Sequence, residues 1–245
     1  MKNNPLTICI LAAGKGNRMK SNTPKVLHEI AGVPMIHSVL KTAEKLTPVK
    51  VIVIVGYKKE LVIESLKNFN VEFAIQNNQH GTAHAVKQCE AHLKSFEGDV
   101  LVLSGDVPFI SYDTLKSLIE YHNKKNAKAS LLSTFFDNPA GYGRIIRDDN
   151  DKFIKIVEHK DANSEEIHIK EINSGTYIFN SKILFEKINF IKNKNSQNEY
   201  YLTDIFDYVD NTEISIISTK NNKEISGINT LEQLKELDNW KIKKK

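Results

Sequence analysis

Residues 10–27 read ILAAGKGNRMKSNTPKVL, an apolar run that continues into a loop with two glycines and four cations. The cations are Lys15, Arg18, Lys20 and Lys25, and their mutual repulsion would be relieved by an anion bound between them. Glycine lets backbone N–H groups approach an anion, while arginine offers a fork of donors and lysine a point charge. The stretch therefore predicts a strand that ends in an anion-binding loop. A glycine turn with solvated lysines is the alternative.

The same loop does not match two common phosphate-binding patterns. A dinucleotide fingerprint requires G-x-G-x-x-G, but Met19 occupies the position of the third glycine. A P-loop requires Gly-Lys-Ser/Thr after a glycine and four spacers, and this arrangement is absent from the stretch. The loop therefore belongs to a different class of anion site.

The first half of the chain alternates between strand and helix patterns. Apolar, β-branched runs at Leu6–Ala12, 50–56 and Asp99–Ser104 are typical of strands that are buried on both faces. Helical patterns occupy 34–46, 60–68, 82–96 and 112–123, and 71–76 has an extended pattern. Since strand–helix–strand units form right-handed crossovers, we expect an α/β, Rossmann-like, doubly wound sheet that is mixed and mainly parallel.

The second half is less regular, and no internal repeat is visible in it. Strand patterns lie at 130–136, 144–146, Phe153–Val157 and 171–179, and helical patterns at 183–188 and 203–209. A closing helix is expected from Thr230, because T-L-E-Q fits a capping box with Thr230 as the cap and Gln233 at the third helical position. Since no Pro/Gly/Ser-rich linker interrupts the chain, we expect residues 1–245 to form one unit.

Composition and charge exclude several classes of protein. The chain has no run near the roughly 20 apolar residues of a membrane helix and no signal-peptide pattern, so we expect a cytoplasmic protein without a membrane span. The formal charge is +4, but the last five residues, KIKKK, hold four lysines and leave zero for residues 1–240. We interpret these lysines as a solvated helix end, and we expect no nucleic-acid partner. Cys9 and Cys89 are expected to be structural and unpaired.

The cation loop carries a resemblance to a known family. LAAGKGNRM at 11–19 and PKVL at 24–27 resemble the signature of the sugar-nucleotide pyrophosphorylases, which are nucleotidyltransferases. The chain is most similar to the N-terminal uridylyltransferase domain of the bifunctional bacterial UDP-N-acetylglucosamine pyrophosphorylase/glucosamine-1-phosphate acetyltransferase. Asn17 stands where that family has Thr or Glu, which is a mild departure.

Seven further stretches resemble segments of that family in the same order along the chain. They are Gln76 with QHGTAHA at 79–85, LSGDVP at 103–108, GYGRI at 141–145, IVEHKDA at 156–162, EINSG at 171–175, EYYLTD at 199–204 and GIN at 227–229. His80 stands where the family often has Leu. An ordered set is far more specific than any single motif, so the resemblance covers nearly the whole chain.

The resemblance implies an Mg²⁺-dependent reaction of UTP with a sugar 1-phosphate, N-acetylglucosamine 1-phosphate, that yields UDP-N-acetylglucosamine and pyrophosphate. It also implies site residues with defined roles. The catalytic cations are Arg18 and Lys25; the substrate-binding residues are Leu11, Ala12, Ala13, Gly14, Gln76, Gly81, Thr82, Ser104, Gly105, Gly143, Glu158 and Asn173; the metal ligands are Asp106 and Asn229. Among the substrate-binding residues, Gln76, Gly81 and Thr82 are expected to contact uridine, and Gly143, Glu158 and Asn173 the sugar.

By the same resemblance, residues 1–110 form a nucleotide-binding half, 111–230 a sugar-binding half and 230–245 a closing helix with a basic tail. The chain shows no hexapeptide repeat, so we expect neither the β-helix acetyltransferase domain nor its activity, and family trimerisation is not assumed. The implied pathway is the supply of precursors for cell-wall biogenesis, including peptidoglycan, or for surface polysaccharide.

Several alternatives stay open at this point. The sugar could be glucose, galactose or another hexosamine 1-phosphate, and the nucleotide could be CTP or dTTP, although the segment at 76–85 resembles the uridine type. A catalytically silent nucleotide-sugar binding protein is a third reading. The presence of Arg18, Lys25, Asp106 and Asn229 argues against it, because an inactive protein would be expected to have lost one of them. Asp106 could cap a turn, and Glu158 could be a surface carboxylate.

Overall fold

The structure is a computed structural model that describes residues 4–242, with side chains as far as Trp240. Its strands are β1 (Leu6–Ala12), β2 (Glu29–Ile30), β3 (Val33–Pro34), β4 (Lys50–Val55), β5 (Glu72–Ile75), β6 (Asp99–Ser104), β7 (Ala129–Phe135), β8 (Arg144–Arg147), β9 (Phe153–Val157), β10 (Glu171–Asn180) and β11 (Ile214–Ser218). Its helices are α1 (Met35–Glu44), α2 (Lys59–Ser65), α3 (Thr82–Lys87), α4 (Tyr112–Lys125), α5 (Ser181–Lys187) and α6 (Leu231–Ile242).

One mixed sheet of nine strands organises the described residues. Its main path has the order β11-β7-β10-β6-β1-β4-β5, with β8 paired to β10 and β9 paired to β8. Strands β6, β1, β4 and β5 are parallel to one another along this path, whereas β10 is antiparallel to both β6 and β7. The predicted α/β, doubly wound and mainly parallel sheet is confirmed.

Both faces of the central strand β1 are buried, which explains its apolar sequence. Ile8, Cys9 and Ile10 are 0% exposed and alternate between two hydrophobic clusters. Cys9 packs in the cluster that includes α3 and α5, while Ile8 and Ile10 pack in the cluster that includes α1, α2 and α4. Such two-sided burial is what a parallel strand covered by helices requires. Cys9 and Cys89 are both free and buried, as expected.

Strand order creates a crevice at one end of the sheet. From β1 the chain passes through α1 to β4 on one side, and it later returns to β6 on the other side of β1. The chain leaves β1 toward β4 and leaves β6 toward β7, on opposite sides, so the adjacent carboxyl ends of β1 and β6 form a topological switch point, where open α/β sheets bind ligands. The cation loop follows β1, and Gly105 and Asp106 follow β6, so both open onto this crevice.

The closing helix begins as its sequence predicts. The Thr230 hydroxyl accepts from the Gln233 backbone N–H at 3.2 Å, and the Gln233 side chain accepts from the Thr230 backbone N–H at 3.2 Å. This reciprocal pair is the capping box. The lysines at 243–245, which we interpreted as a solvated helix end, and residues 1–3 lie outside the described residues. No helix within residues 4–242 is long and apolar enough to cross a membrane.

Two predicted α-helices are wrong in extent or type. The pattern at 82–96 predicts one long helix, but α3 ends at Lys87 and a separate 3₁₀ turn follows at Glu90–His92. The pattern at 203–209 also predicts an α-helix, but Leu202–Tyr208 is a 3₁₀ helix. Leu202, Ile205 and Phe206 are buried on one face, and this spacing does not distinguish the two helix types.

The sequence interpretation missed β11, which pairs in parallel with β7. Its residues, ISIIS, point to both sides of the sheet: Ile216 packs on one cluster and Ile217 on the other. The two-stranded ribbon of β2 and β3 was also missed, because each strand has only two residues.

Candidate functional site

The floor of the crevice is built from backbone in close contact. The Gly105 N–H donates to the Leu11 carbonyl at 2.9 Å, and a Cβ at Gly105 would lie 2.9 Å from that oxygen. The Tyr57 N–H donates to the Ala13 carbonyl at 3.1 Å, which ties the end of β4 to the start of the cation loop. Ala12 and Ala13 are buried there, and Ser104 pairs with Leu11 across the two strands.

Four predicted side chains converge above this floor. Lys25 Nζ forms a salt bridge with Asp106 Oδ2 and donates to Asn229 Oδ1 at 2.6 Å. The Arg18 guanidinium donates to the same Asn229 oxygen at 2.9 Å. Asn229 is anchored in turn, because the Ile228 N–H donates to the Asp106 carbonyl at 3.1 Å. Three distant segments thus place two cations beside one carboxylate and one amide oxygen.

Glycine conformation permits this convergence. Gly16 has φ +62°, and a Cβ there would lie 2.6 Å from Lys25 Cβ, so a larger residue would displace the lysine. Asn17–Met19 forms a single 3₁₀ turn in which Met19 is buried and anchors the loop. Gly14 has open space around its Cα, because no heavy atom lies within 4 Å of the position that a Cβ would take. The loop is therefore anchored at its tip and open where an anion would approach.

A basic residue from outside the loop, Lys58, holds the outer part of the loop. Lys58, just before α2, has φ 48°, which is uncommon for a residue with a side chain. Its Nζ donates to the Asn22 carbonyl at 2.5 Å, across 36 residues of sequence. The contact fastens the exposed half of the cation loop to the end of β4.

The predicted uridine residues lie together at the end of β5 and the start of α3. Gln76 is 3% exposed, and its Nε2 donates to the Gly81 carbonyl at 3.1 Å. Gly81 has φ +110°, and a Cβ there would lie 2.5 Å from the Tyr200 carbonyl oxygen. The Thr82 hydroxyl accepts from the Leu202 N–H at 2.9 Å, so these groups are fixed to the 3₁₀ segment Leu202–Tyr208.

The predicted sugar residues lie just before β8, just after β9 and on β10. The Asn173 N–H donates to the Gly143 carbonyl at 2.9 Å, and its side-chain amide donates to the Tyr177 hydroxyl at 2.6 Å. Glu158 follows β9, and one carboxylate oxygen would lie 3.5 Å from a Cβ at Gly143. The Thr203 hydroxyl donates to the other oxygen at 3.0 Å. Glu158 is partly exposed and held in place, so it is more than a free surface carboxylate.

Burial, and then repulsion between carboxylates, raises the pKa values of the acidic groups around Glu158. Burial raises the pKa of Glu158, and Asp161 and Glu199 add repulsion. Burial also raises the pKa of Asp204 to about 7, with further repulsion from Asp207, Glu158 and Asp161. The region around Glu158 therefore holds a group of mutually repelling carboxylates that disfavours a further negative charge, in contrast to the cation loop.

Tyr142 and Arg144, in the GYGRI stretch, lie beside the predicted site residues, although neither was predicted as a site residue. Tyr142 lies close to the Gly227 backbone, with which it forms a hydrogen bond, and Asp106 is near its hydroxyl; burial raises its pKa. Arg144 is 1% exposed and donates to the Tyr142 carbonyl and to the Ile167 carbonyl, the latter at 3.1 Å. The signal for both was their position inside a motif whose glycine alone was assigned.

The predicted residues fall into a basic group beside the cation loop, which we call the basic end, an acidic group around Glu158, which we call the acidic end, and a third group at the start of α3. Arg18, Lys25, Asp106 and Asn229 form the basic end with the cation loop. Gly143, Glu158 and Asn173 form the acidic end, and Gln76 with Gly81 lies on the α3 side. The roles of these residues toward substrate stay predictions.

Comparisons with known proteins identify relatives of this chain. A family profile described as nucleotidyl transferase matches residues 8–226. The bifunctional protein GlmU of Streptococcus mutans is 48% identical over 196 residues, which are 80% of this chain and 42% of that protein. GlmU of Staphylococcus epidermidis is 45% identical over 231 residues, which are 94% of this chain and 51% of that protein. The chain thus spans about half the length of these curated relatives.

Solved structures show the same fold at low sequence identity. A UDP-glucose pyrophosphorylase complexed with UDP-glucose superposes with a TM-score of 0.74 at 20% identity, covering 98% of this chain and 100% of that one. HddC from Yersinia pseudotuberculosis, complexed with GMP-PN, gives a TM-score of 0.68 at 22% identity, covering 96% of this chain and 98% of that one. Since the family profile covers most of the sequence, the chain belongs to the nucleotidyl transferase family.

Proposed function

We propose that the chain transfers a uridylyl group from UTP to N-acetylglucosamine 1-phosphate, which gives UDP-N-acetylglucosamine and pyrophosphate. The observation that carries the proposal is the convergence of Arg18 and Lys25 on Asp106 and Asn229 beside an open glycine loop. The similarity to GlmU proteins supports the choice of substrates. The division into a nucleotide-binding half at 1–110 and a sugar-binding half at 111–230 is part of the same proposal, as is a cytoplasmic location.

The reaction needs charge neutralisation more than proton transfer. The sugar phosphate oxygen attacks the α-phosphorus of UTP, and the bond from that phosphorus to the β-phosphate bridging oxygen breaks, so pyrophosphate leaves. The attacking oxygen is already anionic, so no general base is required. Positioning and electrostatic stabilisation therefore account for catalysis. In this account Arg18 binds the β- and γ-phosphates and Lys25 stabilises the charge that develops around the α-phosphate.

The residues at the basic end also fit a magnesium ion. Asp106 and Asn229 each present an oxygen to the same cation, the Lys25 ammonium, so their positions suit a shared cation. Magnesium takes only one or two protein oxygens when phosphates and waters complete its coordination. When bound, the ion would neutralise phosphate charge. Asp106 and Asn229 would hold it, and Lys25 would remain within reach of the phosphates.

The acidic end suits an uncharged sugar ring. Glu158 and Asn173 offer acceptors and donors for hydroxyl and amide groups, and both are held by neighbouring side chains. Carboxylates repel phosphate, so the basic and acidic ends orient the sugar phosphate with its phosphate toward Arg18 and Lys25. An N-acetylated hexosamine 1-phosphate meets both requirements.

A panel of substrates tests the proposal. Pyrophosphate release is measured with Mg²⁺ for each common NTP, combined with the 1-phosphates of N-acetylglucosamine, glucose and galactose. We expect the fastest release with UTP and N-acetylglucosamine 1-phosphate. Preference for another sugar would retain the mechanism and reject the substrate. No release with any pair by folded protein would instead favour a nucleotide-sugar binding protein.

A further inference from the structure

The side-chain amide of Gln76 has hydrogen-bond partners for its nitrogen but, among the described residues, none for its oxygen. The Gly81 carbonyl is an acceptor only, so the end of the amide that lies 3.1 Å from it must be the NH₂ group. The same nitrogen lies 3.0 Å from His84 Nδ1. Its two hydrogens therefore have two partners, and the orientation of the amide is fixed by chemistry.

The carbonyl end of this amide is poised to accept a hydrogen bond. Gln76 is 3% exposed. Among the described residues no group donates a hydrogen bond to its Oε1, and this oxygen is not completely shielded from solvent. An amide oxygen that is nearly buried, keeps some exposure and has no partner in the protein favours a ligand that brings an N–H. Uracil carries a donor, N3–H, at the centre of its base-pairing edge, whereas cytosine has a lone pair at N3 and its donor is the exocyclic N4 amino group, at the position of the uracil O4 acceptor.

The contact with His84 requires one protonation state of the ring. A neutral imidazole accepts at one nitrogen and donates at the other, and a charged ring accepts at neither. Gln88 Nε2 lies 3.4 Å from the other ring nitrogen, but Gln88 is only partly buried and already donates to the His84 carbonyl at 2.8 Å. The shorter contact, with the more buried amide, assigns the acceptor role to Nδ1.

The surroundings of His84 keep the ring neutral. Burial lowers its pKa, His80 and Lys87 lower it further by repulsion, and a hydrogen bond with the Asn78 backbone opposes them. The other titratable or charged groups that line the neighbouring cavities are Lys182 and Glu186 of α5, Glu90, Lys94 and Glu97 on the segment after α3, Lys128 before β7, and Tyr200.

We propose that His84 is a positioning residue for base selection: its Nδ1 and the Gly81 carbonyl together hold the NH₂ group of Gln76, so that Oε1 faces the base and UTP is preferred to CTP. The inference rests on the proposed function only in taking Gln76 as the residue that meets the base. His84 takes no part in phosphoryl chemistry. Its effect should therefore appear in nucleotide affinity and leave kcat nearly unchanged.

Equilibrium titration with UTP and with CTP, in the presence of Mg²⁺ and without sugar phosphate, tests this inference. His84→Phe keeps a flat ring but removes the acceptor, and we expect it to weaken UTP binding by about 3- to 10-fold, the effect of losing one neutral hydrogen bond. CTP binding should change less than about 2-fold, because it does not use that bond. His84→Asn, which offers a side-chain carbonyl, should recover part of the preference. His92→Phe, which removes a histidine that contacts Glu72 instead, is the control.

The wild-type protein provides a second test that needs no substitution. Burial lowers the pKa of His84, and protonation of its ring removes the acceptor, so the ratio of UTP to CTP affinity should be constant above about pH 6.5 and fall as the pH drops below it. The ratio cancels the ionisation of the triphosphate, which both nucleotides share. In His84→Phe the ratio should be low and independent of pH.

Equal loss of UTP and CTP binding in His84→Phe would overturn the inference, as would a wild-type ratio that does not change with pH. The proposed function fails separately. If the UTP preference depends on His84 as expected but the wild type releases no pyrophosphate with any sugar phosphate, the inference stands and the proposed reaction does not.

Discussion

Gly81 has a backbone conformation that side chains rarely adopt, and the chain packs directly against it. Its φ is +110°, and a Cβ would lie 2.5 Å from the Tyr200 carbonyl oxygen and 2.7 Å from the Tyr200 nitrogen. Gly81→Ala should therefore reduce the free energy of unfolding by at least about 2 kcal/mol. Urea unfolding measures the loss.

Gly14→Ala is the matched control, because no heavy atom lies within 4 Å of its added methyl position. Its stability should stay within about 0.5 kcal/mol of the wild type. Equal stability for the two alanine variants would show that the Tyr200 backbone yields easily, contrary to the packing described for α3.

The raised pKa of Asp204 makes stability depend on pH. Its pKa is about 7 in the folded protein against an ordinary value of 3.8, mainly because of burial and then because of Asp207, Glu158 and Asp161. The unfolded carboxyl loses its proton first, so the contribution of this residue to stability falls as the pH rises from about 4 to about 7.

Asp204→Asn should remove that penalty. Allowing for the partial exposure of the side chain, we expect the variant to be more stable than the wild type by about 1–2 kcal/mol at pH 8 and similar to it at pH 4. Urea unfolding at the two pH values measures the difference. The same difference in unfolding free energy between variant and wild type at both pH values would contradict the raised pKa of Asp204.

At the scale of elements, the contact of Lys58 couples the turn before α2 to the cation loop. Lys58→Gly relieves the φ of 48° but removes the bond to the Asn22 carbonyl. Stability should be unchanged or higher by up to about 1 kcal/mol, since strain relief opposes the greater freedom of glycine in the unfolded chain. The KM for UTP should nevertheless rise by about 2- to 10-fold.

Thr47→Gly separates these effects, because Thr47 has φ 49° but precedes β4 at the opposite end of that strand from the loop. Thermal unfolding and steady-state kinetics are measured on both variants. A KM for UTP that stays unchanged in Lys58→Gly would mean that the loop does not depend on this contact.

Arg144 links the loop at 141–143 to the segment near Ile167 while almost fully buried. Lysine cannot reach both carbonyls, so Arg144→Lys should lower the free energy of unfolding by about 1–3 kcal/mol. The KM for the sugar phosphate should rise more than the KM for UTP, because Gly143 follows the Tyr142 carbonyl that Arg144 holds.

Arg147→Lys is the comparison on the same strand, because Arg147 forms a two-point bond with Glu171 instead. It should lower stability without the selective rise in the KM for the sugar phosphate. If both lysine variants shifted the two KM values equally, Arg144 would have only a general structural role.

The strands of the first half could be predicted because buried parallel strands have continuous apolar sequences, as at β1, β4 and β6. The early end of α3 and the 3₁₀ type of Leu202–Tyr208 could not, since apolar residues three and four apart suit both helix types. Strand β11 was missed because its five residues have no clear alternation between buried and exposed positions.

At the scale of the whole molecule, the glycines and cations of residues 10–27 predicted an anion-binding loop, but they could not predict which distant residues the loop contacts. Lys25 and Asn229 are 204 residues apart, and only the sheet order brings the segment before α6 to the end of β6. The family resemblance grouped Asn229 with Asp106, as metal ligands, but it did not predict the contact with Lys25. The contacts of Tyr142 and Arg144 were not expected, because only Gly143 of their motif was assigned and hydrogen bonds to distant backbone cannot be seen in a motif.

The central claim is that the basic end of the crevice holds a triphosphate for attack at its α-phosphorus. The most direct test follows UTP labelled at either the α- or the γ-phosphorus, with N-acetylglucosamine 1-phosphate and Mg²⁺. We expect α-label in the sugar nucleotide, γ-label only in pyrophosphate, and a rate at least about 100-fold lower in Asp106→Ala. Transfer of γ-label to the sugar, or an Asp106→Ala variant as fast as the wild type, would contradict the account.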